Sequence, residues 1–263
     1  MQLGFLNYID SKKELPPGRI GCDGNIGSTS SLTPCKSAVA NTYSQSGASA
    51  FAMTLPFVEE TALYKQLDIY QGKGIFATNG TDWITATRTQ ALKIVLSVYN
   101  CPSEMGNRPE TMTFTTNLDC AVSSYALNEG TVLDNSDTTK QNNKGLFFYF
   151  RGCSLKKISD GTSKTFCTGE TIDGHTGADA NIVYLGSRLN HSMRVAVNLV
   201  NVETSTAKRD ATGSHAAFQS RHSGGAHFGW VDGHVSFLDD SIDLTTYQAL
   251  ATRSGGENVA IEY

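Results

Sequence analysis

The sequence predicts an α+β fold: an N-terminal helix, further short helices and loops, then an antiparallel sheet. Three observations lead there. Apolar residues recur at helical spacing near the N-terminus, with Leu3, Leu6 and Ile9 three apart and Phe5 alongside. From Thr111 onward the apolar signal becomes short alternating runs separated by Asn, Asp, Gly and Ser. Near the C-terminus, Ala226 to Val231 and His234 to Leu238 flank Asp232-Gly233, a strong short-range hairpin signal.

The first helix is expected over Gln2 to Leu15, stopped by Pro16-Pro17-Gly18. Gly21 to Gly47 is loop-forming, and its glycines, with no helix after them, make a poor phosphate cradle. Pro56 suits a first helical turn, so Phe57 to Leu67 should continue as a helix; Glu59 and Glu60 sit near its positive end, and as helical neighbours they cannot face each other as an acid/base pair. Ala86 to Tyr99 reads as a short helix running into a strand at Lys93 to Tyr99. Strands follow at Met112 to Thr116, Ala121 to Ala126, Gly145 to Phe150, Lys164 to Glu170, Asn181 to Leu185 and Met193 to Val200, with Asp134 to Asn143 as a separator and Ser205 to Thr212 as an exposed loop. The run MRVAVNLV puts Val195, Val197 and Leu199 on one face, as in an antiparallel sheet with one covered side.

A two-residue turn at Asp232-Gly233 would pair Val231 with His234, Trp230 with Val235 and Phe228 with Phe237. Phe228, Trp230, Val235 and Phe237 would then share a buried face. His227 and His234 fall on the other face, roughly 13 Å apart at about 3.3 Å per residue, too far to share an ion. Asp243 is placed to cap a last helix over Leu244 to Arg253, ending near Gly255-Gly256. Asp239, Asp240 and Asp243 could instead hold calcium, but they lack EF-hand spacing.

Composition excludes several functions. A net charge of −4, from 21 basic and 25 acidic residues, with no basic cluster carrying interleaved aromatics, leaves no field for nucleic acid. The histidines are His175, His191, His215, His222, His227 and His234; they form no HExxH and no i, i+4 pair, and Gly-x-Ser-x-Gly is absent. The order of helices and strands does not suit a doubly wound sheet. No catalytic residues and no metal ligands are assigned, and the expectation is a non-enzyme without a cofactor.

Six cysteines, Cys22, Cys35, Cys101, Cys120, Cys153 and Cys167, form no C-x-x-C pair and are compatible with three disulfides in an oxidising compartment. Sequential pairing, Cys22 with Cys35, Cys101 with Cys120 and Cys153 with Cys167, closes the shortest loops; buried reduced thiols are the alternative. The chain has no run of the roughly 18 apolar residues that a membrane span needs, and no charged-then-apolar signal segment.

His222, nine residues, then Asp232-Gly233 is similar to the H-X9-DG signature of a prepilin-type, pseudopilin-like family, domain of unknown function 1559. Further blocks resemble that family in order: LPPG (15–18), LPFVEETALYKQLD (55–68), CPS (101–103), SSYALNEG (123–130), ISDGTSKTFCTGE (158–170) and SGGE (254–257). The resemblance implies one pilin-like domain over 1–263, in which residues 1–15 are the remnant of an N-terminal spine helix packed on the sheet. Residues 16–220 would be a large loop-rich insertion with sheet, and 221–263 the H-X9-DG hairpin and last helix. It implies that Met1 begins a truncated chain whose missing part holds the export signal and membrane helix. It also allows calcium in the C-terminal loop.

The function expected from the resemblance is that of a cell-surface or periplasmic subunit or accessory of a type II secretion or type IV pilus-like assembly, partnered by other pilin-like subunits or secretion machinery and by the inner membrane. His222, Asp232 and Gly233 are then motif residues: structurally, His222 bonds a neighbouring turn and Asp232 closes the hairpin; functionally, the machinery recognises them. Two rivals remain, a surface carbohydrate or solute receptor using Trp83 or Tyr149 as stacking surfaces, and a metal-dependent hydrolase using His215, His222 and His227.

Overall fold

A computed structural model of the chain describes residues 1–22, 33–36, 47–69, 85–104, 109–113, 117–134, 136–172, 181–186, 191–202 and 218–257. Within these lie helices α1 (Gln2–Lys12), α2 (Thr33–Lys36), α3 (Ala50–Thr54), α4 (Thr61–Leu67), α5 (Ala86–Leu92), α6 (Asp137–Gln141) and α7 (Leu244–Ala251). The strands are β1 (Glu110–Thr113), β2 (Asn117–Cys120), β3 (Tyr125–Asn128), β4 (Phe166–Glu170), β5 (Met193–Arg194), β6 (Gly225–Trp230) and β7 (Val235–Asp239). β1 and β2 form a separate antiparallel pair, and the main sheet runs β5-β3-β4-β6-β7. That sheet is mixed rather than antiparallel, because β5 joins β3 in parallel, Leu127 opposite Met193.

Apolar residues cover both faces. On one, Leu127, Cys167 and Val231 meet Phe5, Tyr8 and Ile9 of α1 together with Phe51, Tyr99 and Phe147. On the other, Phe166, Phe228 and Trp230 meet Phe218, Tyr247 and Leu250. Phe166 is central there, stacked on Tyr247 at 5.9 Å and edge-on to Phe228 at 4.7 Å.

The first helix forms as expected but ends early. Lys13 adopts a left-handed conformation (φ 63°) and its N–H bonds the Ile9 carbonyl, so the stop precedes Pro16-Pro17-Gly18. The buried stripe is also rotated: Gln2, Phe5, Tyr8 and Ile9 face inward, while Leu3 is 68% exposed. The rotation follows from Gly4, against which Val58 packs so closely that a Cβ would lie 2.6 Å from its Cγ1.

β4 carries a bulge, with the pairing shifted between Phe166 and Thr168. Cys167 and Thr168 consequently both turn toward α1. The Gln2 side chain bridges them: its Nε2 donates to Thr168 Oγ1, and its Oε1 accepts from Cys167 Sγ at 3.0 Å. Across the pair stands Gly229, where any side chain would collide with the Gln2 amide.

The Asp232-Gly233 hairpin exists with a different register. Trp230 N donates to His234 O and Gly233 N to Trp230 O, so Val231-Asp232-Gly233 is a three-residue loop with Gly233 left-handed (φ 96°). Phe228 therefore faces Ser236, and His227 faces Phe237. A one-residue slip sends β7 side chains to the opposite face. Phe228 and Trp230 are buried as expected, but Val235 is 58% and Phe237 43% exposed, and Leu238 takes their place inside.

Other expected elements change. The helix over Phe57 to Leu67 is broken, because Leu55–Val58 is a 3-10 turn ended by left-handed Glu59 before α4. Lys93 to Tyr99 is no strand; α5 is followed by a 3-10 turn at Ser97–Tyr99. Gly145 to Phe150 and Asn181 to Leu185 are largely buried but form no regular strand, making isolated bridges such as Arg19 to Tyr149 and Val122 to Ile182. Of Met193 to Val200, only Met193–Arg194 pairs as strand. Of the expected Ala121 to Ala126 strand, only Tyr125 and Ala126 pair, at the start of β3, and Val122 makes an isolated bridge. The separator Asp134 to Asn143 holds α6, capped by Ser136. Ser205 to Thr212 and residues 114–116 lie outside the described residues. Asp243 caps α7, accepting from Thr246 N at 2.9 Å.

Of the three sequential disulfides, only Cys22–Cys35 forms, with Cα atoms 6.0 Å apart; Cys101, Cys120, Cys153 and Cys167 are free and buried. Cys167 is committed to Gln2 in the bulge and Cys101 faces His222, which separates each from its expected partner. Burial pushes the Cys120 and Cys167 thiols up to about 12.

Two measurements check this arrangement. Dithionitrobenzoate titration in denaturant without reductant should count four thiols, one for each free cysteine; none would restore the three-disulfide pattern. Gln2→Ala leaves Thr168 and Cys167 without their buried partner, and should lower unfolding free energy in urea by about 1–3 kcal/mol. An unchanged midpoint would show that the bridge contributes nothing.

Candidate functional site

The bulge that seats α1 also resets the alternation of β4. Gly169 turns toward Phe218 and Phe228, and the next residue, Glu170, turns to the α1 face. There it lines a cavity of about 690 Å³ with Met1, Gln2, Cys101, Tyr125, His222 and His227 among its walls. The volume lies within the range of small-molecule sites.

Glu170 is only 3% exposed, so its carboxylate needs close partners. Oε2 accepts from the His227 backbone N–H at 2.7 Å, and His227 Nδ1 lies 3.3 Å from the same oxygen. Oε1 lies 3.2 Å from His222 Nε2. His222 Nε2 in turn stands 3.5 Å from Cys101 Sγ. The imidazoles of His222 and His227 meet edge to face at 4.9 Å. Cys101 Sγ, a Glu170 oxygen and a His222 ring nitrogen all lie within 4.8 Å of one another.

Local structure fixes each member. β6 supplies His227 from the strand adjacent to β4. His222 sits just before β6, its N–H bonded to Ser220 Oγ at 3.0 Å, with left-handed Gly224 turning the chain into the strand. Cys101 follows the 3-10 turn at Ser97–Tyr99. Burial pushes its thiol up, and the nearby Glu170 charge adds to the effect. Arg221 is held aside by Glu104, at 3.3 Å.

The motif residues thus separate. The His222 ring enters the cavity, while its backbone N–H bonds Ser220 Oγ. Asp232 closes the hairpin, its Oδ1 accepting from His234 N at 3.2 Å and lying 2.6 Å from His234 Nδ1, while Gly233 supplies the left-handed turn. His227 and His234 engage different carboxylates. The candidate calcium set is also dispersed: Asp239 accepts from Ser241 N, Asp240 from Asn201, and Asp243 from Thr246. Tyr149 is fully buried and offers no stacking surface; Trp83, His175 and His215 lie outside the described residues.

Sequence reasoning missed Glu170 and gave Cys101 to a disulfide. The signal lay in the family-like blocks, since CPS supplies Cys101, SSYALNEG supplies Tyr125, ISDGTSKTFCTGE supplies Glu170 and the H-X9-DG element supplies His222, all in one cavity.

A family model described as "Protein of unknown function (DUF1559)" matches residues 1–245. No curated protein and no solved structure matches the chain.

The cavity lining predicts the order of thiol reactivity. In chelator-treated native protein at mildly alkaline pH, iodoacetamide should modify Cys101 before Cys120 or Cys167, whose thiols burial holds near 12. Peptide mapping that found Cys167 labelled first would contradict the placement of α1.

Proposed function

Because the chain belongs to the DUF1559 family, a family of unknown function, we propose that it is a non-catalytic, pseudopilin-like protein of the cell surface or periplasm. On this reading it is a subunit or accessory of a type II secretion or type IV pilus-like assembly. The seat of α1 carries the proposal. Gln2 and Phe5 tie the helix to the sheet, while Leu3 projects outward beside exposed Val235 at the cavity mouth. A helix fixed on one side, with Leu3 exposed beside Asn7, Asp10, Ser11 and Lys12 on the other, offers a neighbouring subunit one apolar contact within a polar surface.

One further observation supports it. The Cys22–Cys35 disulfide accords with an oxidising compartment outside the cytosol. No helix among the described residues is long and apolar enough to cross a membrane.

The test is cross-linking of the protein in its own cells. Leu3→Cys places a thiol on the outer side of α1, and a bifunctional maleimide should give a covalent dimer of neighbouring subunits in the envelope fraction. Recovery as an uncross-linked cytosolic monomer would end the display reading.

A second reading, a surface solute-binding protein, draws on the cavity of about 690 Å³. It predicts a rise in melting temperature with a small-molecule ligand, lost when the cavity mouth is filled by Val235→Trp, at an exposed position of its wall. A ligand-induced rise that survives Val235→Trp would place binding elsewhere.

A further inference from the structure

We infer that Cys101, Glu170 and His222 form a binding site for a divalent transition-metal ion, and that zinc suits this mixed thiolate, carboxylate and imidazole set best. The inference uses the cavity geometry alone and stands whether or not the display reading does.

Spacing is the first argument. Zinc takes sulfur at about 2.3 Å and nitrogen or oxygen at about 2.0–2.2 Å, so a tetrahedron has a sulfur–nitrogen edge of about 3.5 Å and a nitrogen–oxygen edge of about 3.4 Å. Cys101 Sγ and His222 Nε2 are 3.5 Å apart, and His222 Nε2 and Glu170 Oε1 are 3.2 Å apart. All three ligand atoms fall within 4.8 Å of one another. An ion could enter with small side-chain adjustments.

Support from outside the ligand set is the second argument. Ligand carboxylates are commonly held by further hydrogen bonds. Here Glu170 presents Oε1 to the site while the His227 backbone N–H and Nδ1 hold Oε2. His227 is thus a positioning residue rather than a ligand. A hydrogen-bonded His222–Glu170 pair alone would account for one of the two edges; it gives no reason for a cysteine sulfur to stand on the same imidazole nitrogen.

Charge is the third. On binding, the Cys101 thiol loses its proton to solvent and its sulfur bonds the ion. The dication then balances one thiolate and one carboxylate in a buried place, with His222 neutral. Arg221, next to His222 in the chain, is already paired with Glu104. Three protein ligands leave a fourth position open toward the cavity that all three line, the arrangement of zinc sites that accept an exogenous ligand.

The test uses the full chain, stripped with chelator and loaded with zinc or cobalt(II). About one ion per chain should survive gel filtration, and cobalt should give the intense visible bands of a tetrahedral site and a sulfur-to-cobalt charge-transfer band. Cys101→Ser should abolish the charge-transfer band, and His222→Ala should release the ion. Cys153→Ser, a thiol outside the cavity lining, should leave both readouts unchanged. His227→Ala should weaken affinity about 10–100-fold while keeping the charge-transfer band. If Cys101→Ser does not fold, zinc protection of Cys101 from alkylation in the unaltered chain serves instead. Octahedral cobalt spectra, zinc retained at full affinity by folded Cys101→Ser, or an alkylation rate indifferent to zinc would overturn the site.

Discussion

The structure turns on one irregularity in its sheet, the bulge at Cys167-Thr168. In a regular strand these two side chains would point to opposite faces. With two residues opposing Gly229, both meet the single amide of Gln2, and α1 is docked by its first turn as well as by Phe5. Gly229 is the other half of the joint, since only a residue without a side chain leaves room for Gln2. The bulge also shifts the phase of the last residues of β4: Gly169 lies under the Phe218 and Phe228 rings, and Glu170 is delivered to the cavity. Docking of the helix and direction of the buried carboxylate therefore have the same cause.

Burial of Glu170 in turn organises the loops around it. A carboxylate this enclosed is stable only with donors or cations in contact. β6 gives the His227 backbone N–H, the segment before β6 gives His222, and the end of the 3-10 turn at Ser97–Tyr99 brings Cys101. These come from sequence positions far apart, so each contact also ties a loop to the sheet. The neighbouring Glu104–Arg221 pair performs the same service on the far side of Cys101, linking the segment after the 3-10 turn to the segment before β6.

Elements set by short-range rules were legible in the sequence. The Asp243 cap of α7, the first helix, and the existence of a hairpin at Asp232-Gly233 all depend on residues within a few positions of one another. Features decided by tertiary contact were not. Which stripe of α1 is buried depends on Val58 meeting Gly4, and the rank of Leu3 and Leu6 as apolar residues could not reveal it. The hairpin register depends on a loop whose Val231 and Asp232 N–H groups bond Thr165 and Thr162. The site was hidden for a related reason: alternation counted through a regular β4 puts Glu170 on the Phe166 face, and a bulge leaves no mark in hydrophobic spacing. His222 could be singled out from its motif, but its partners could not.

The hairpin slip joins these two regions. Had Asp232-Gly233 closed as a two-residue turn, Val235 and Phe237 would have lain beneath Tyr247 with Phe228 and Trp230. The three-residue loop instead places Ser236 and Leu238 there, where Ser236 accepts the Trp230 indole N–H at 2.8 Å, and turns Val235 and Phe237 to the face of His227. Phe237 then packs edge-on to the His227 ring at 5.1 Å, and Val235 forms the cavity wall with Leu3. The polar floor made by Glu170, His222 and Cys101 is therefore rimmed by apolar side chains from an edge strand and from the outer side of α1. Helix docking, hairpin register and the direction of Glu170 thus meet at one cavity.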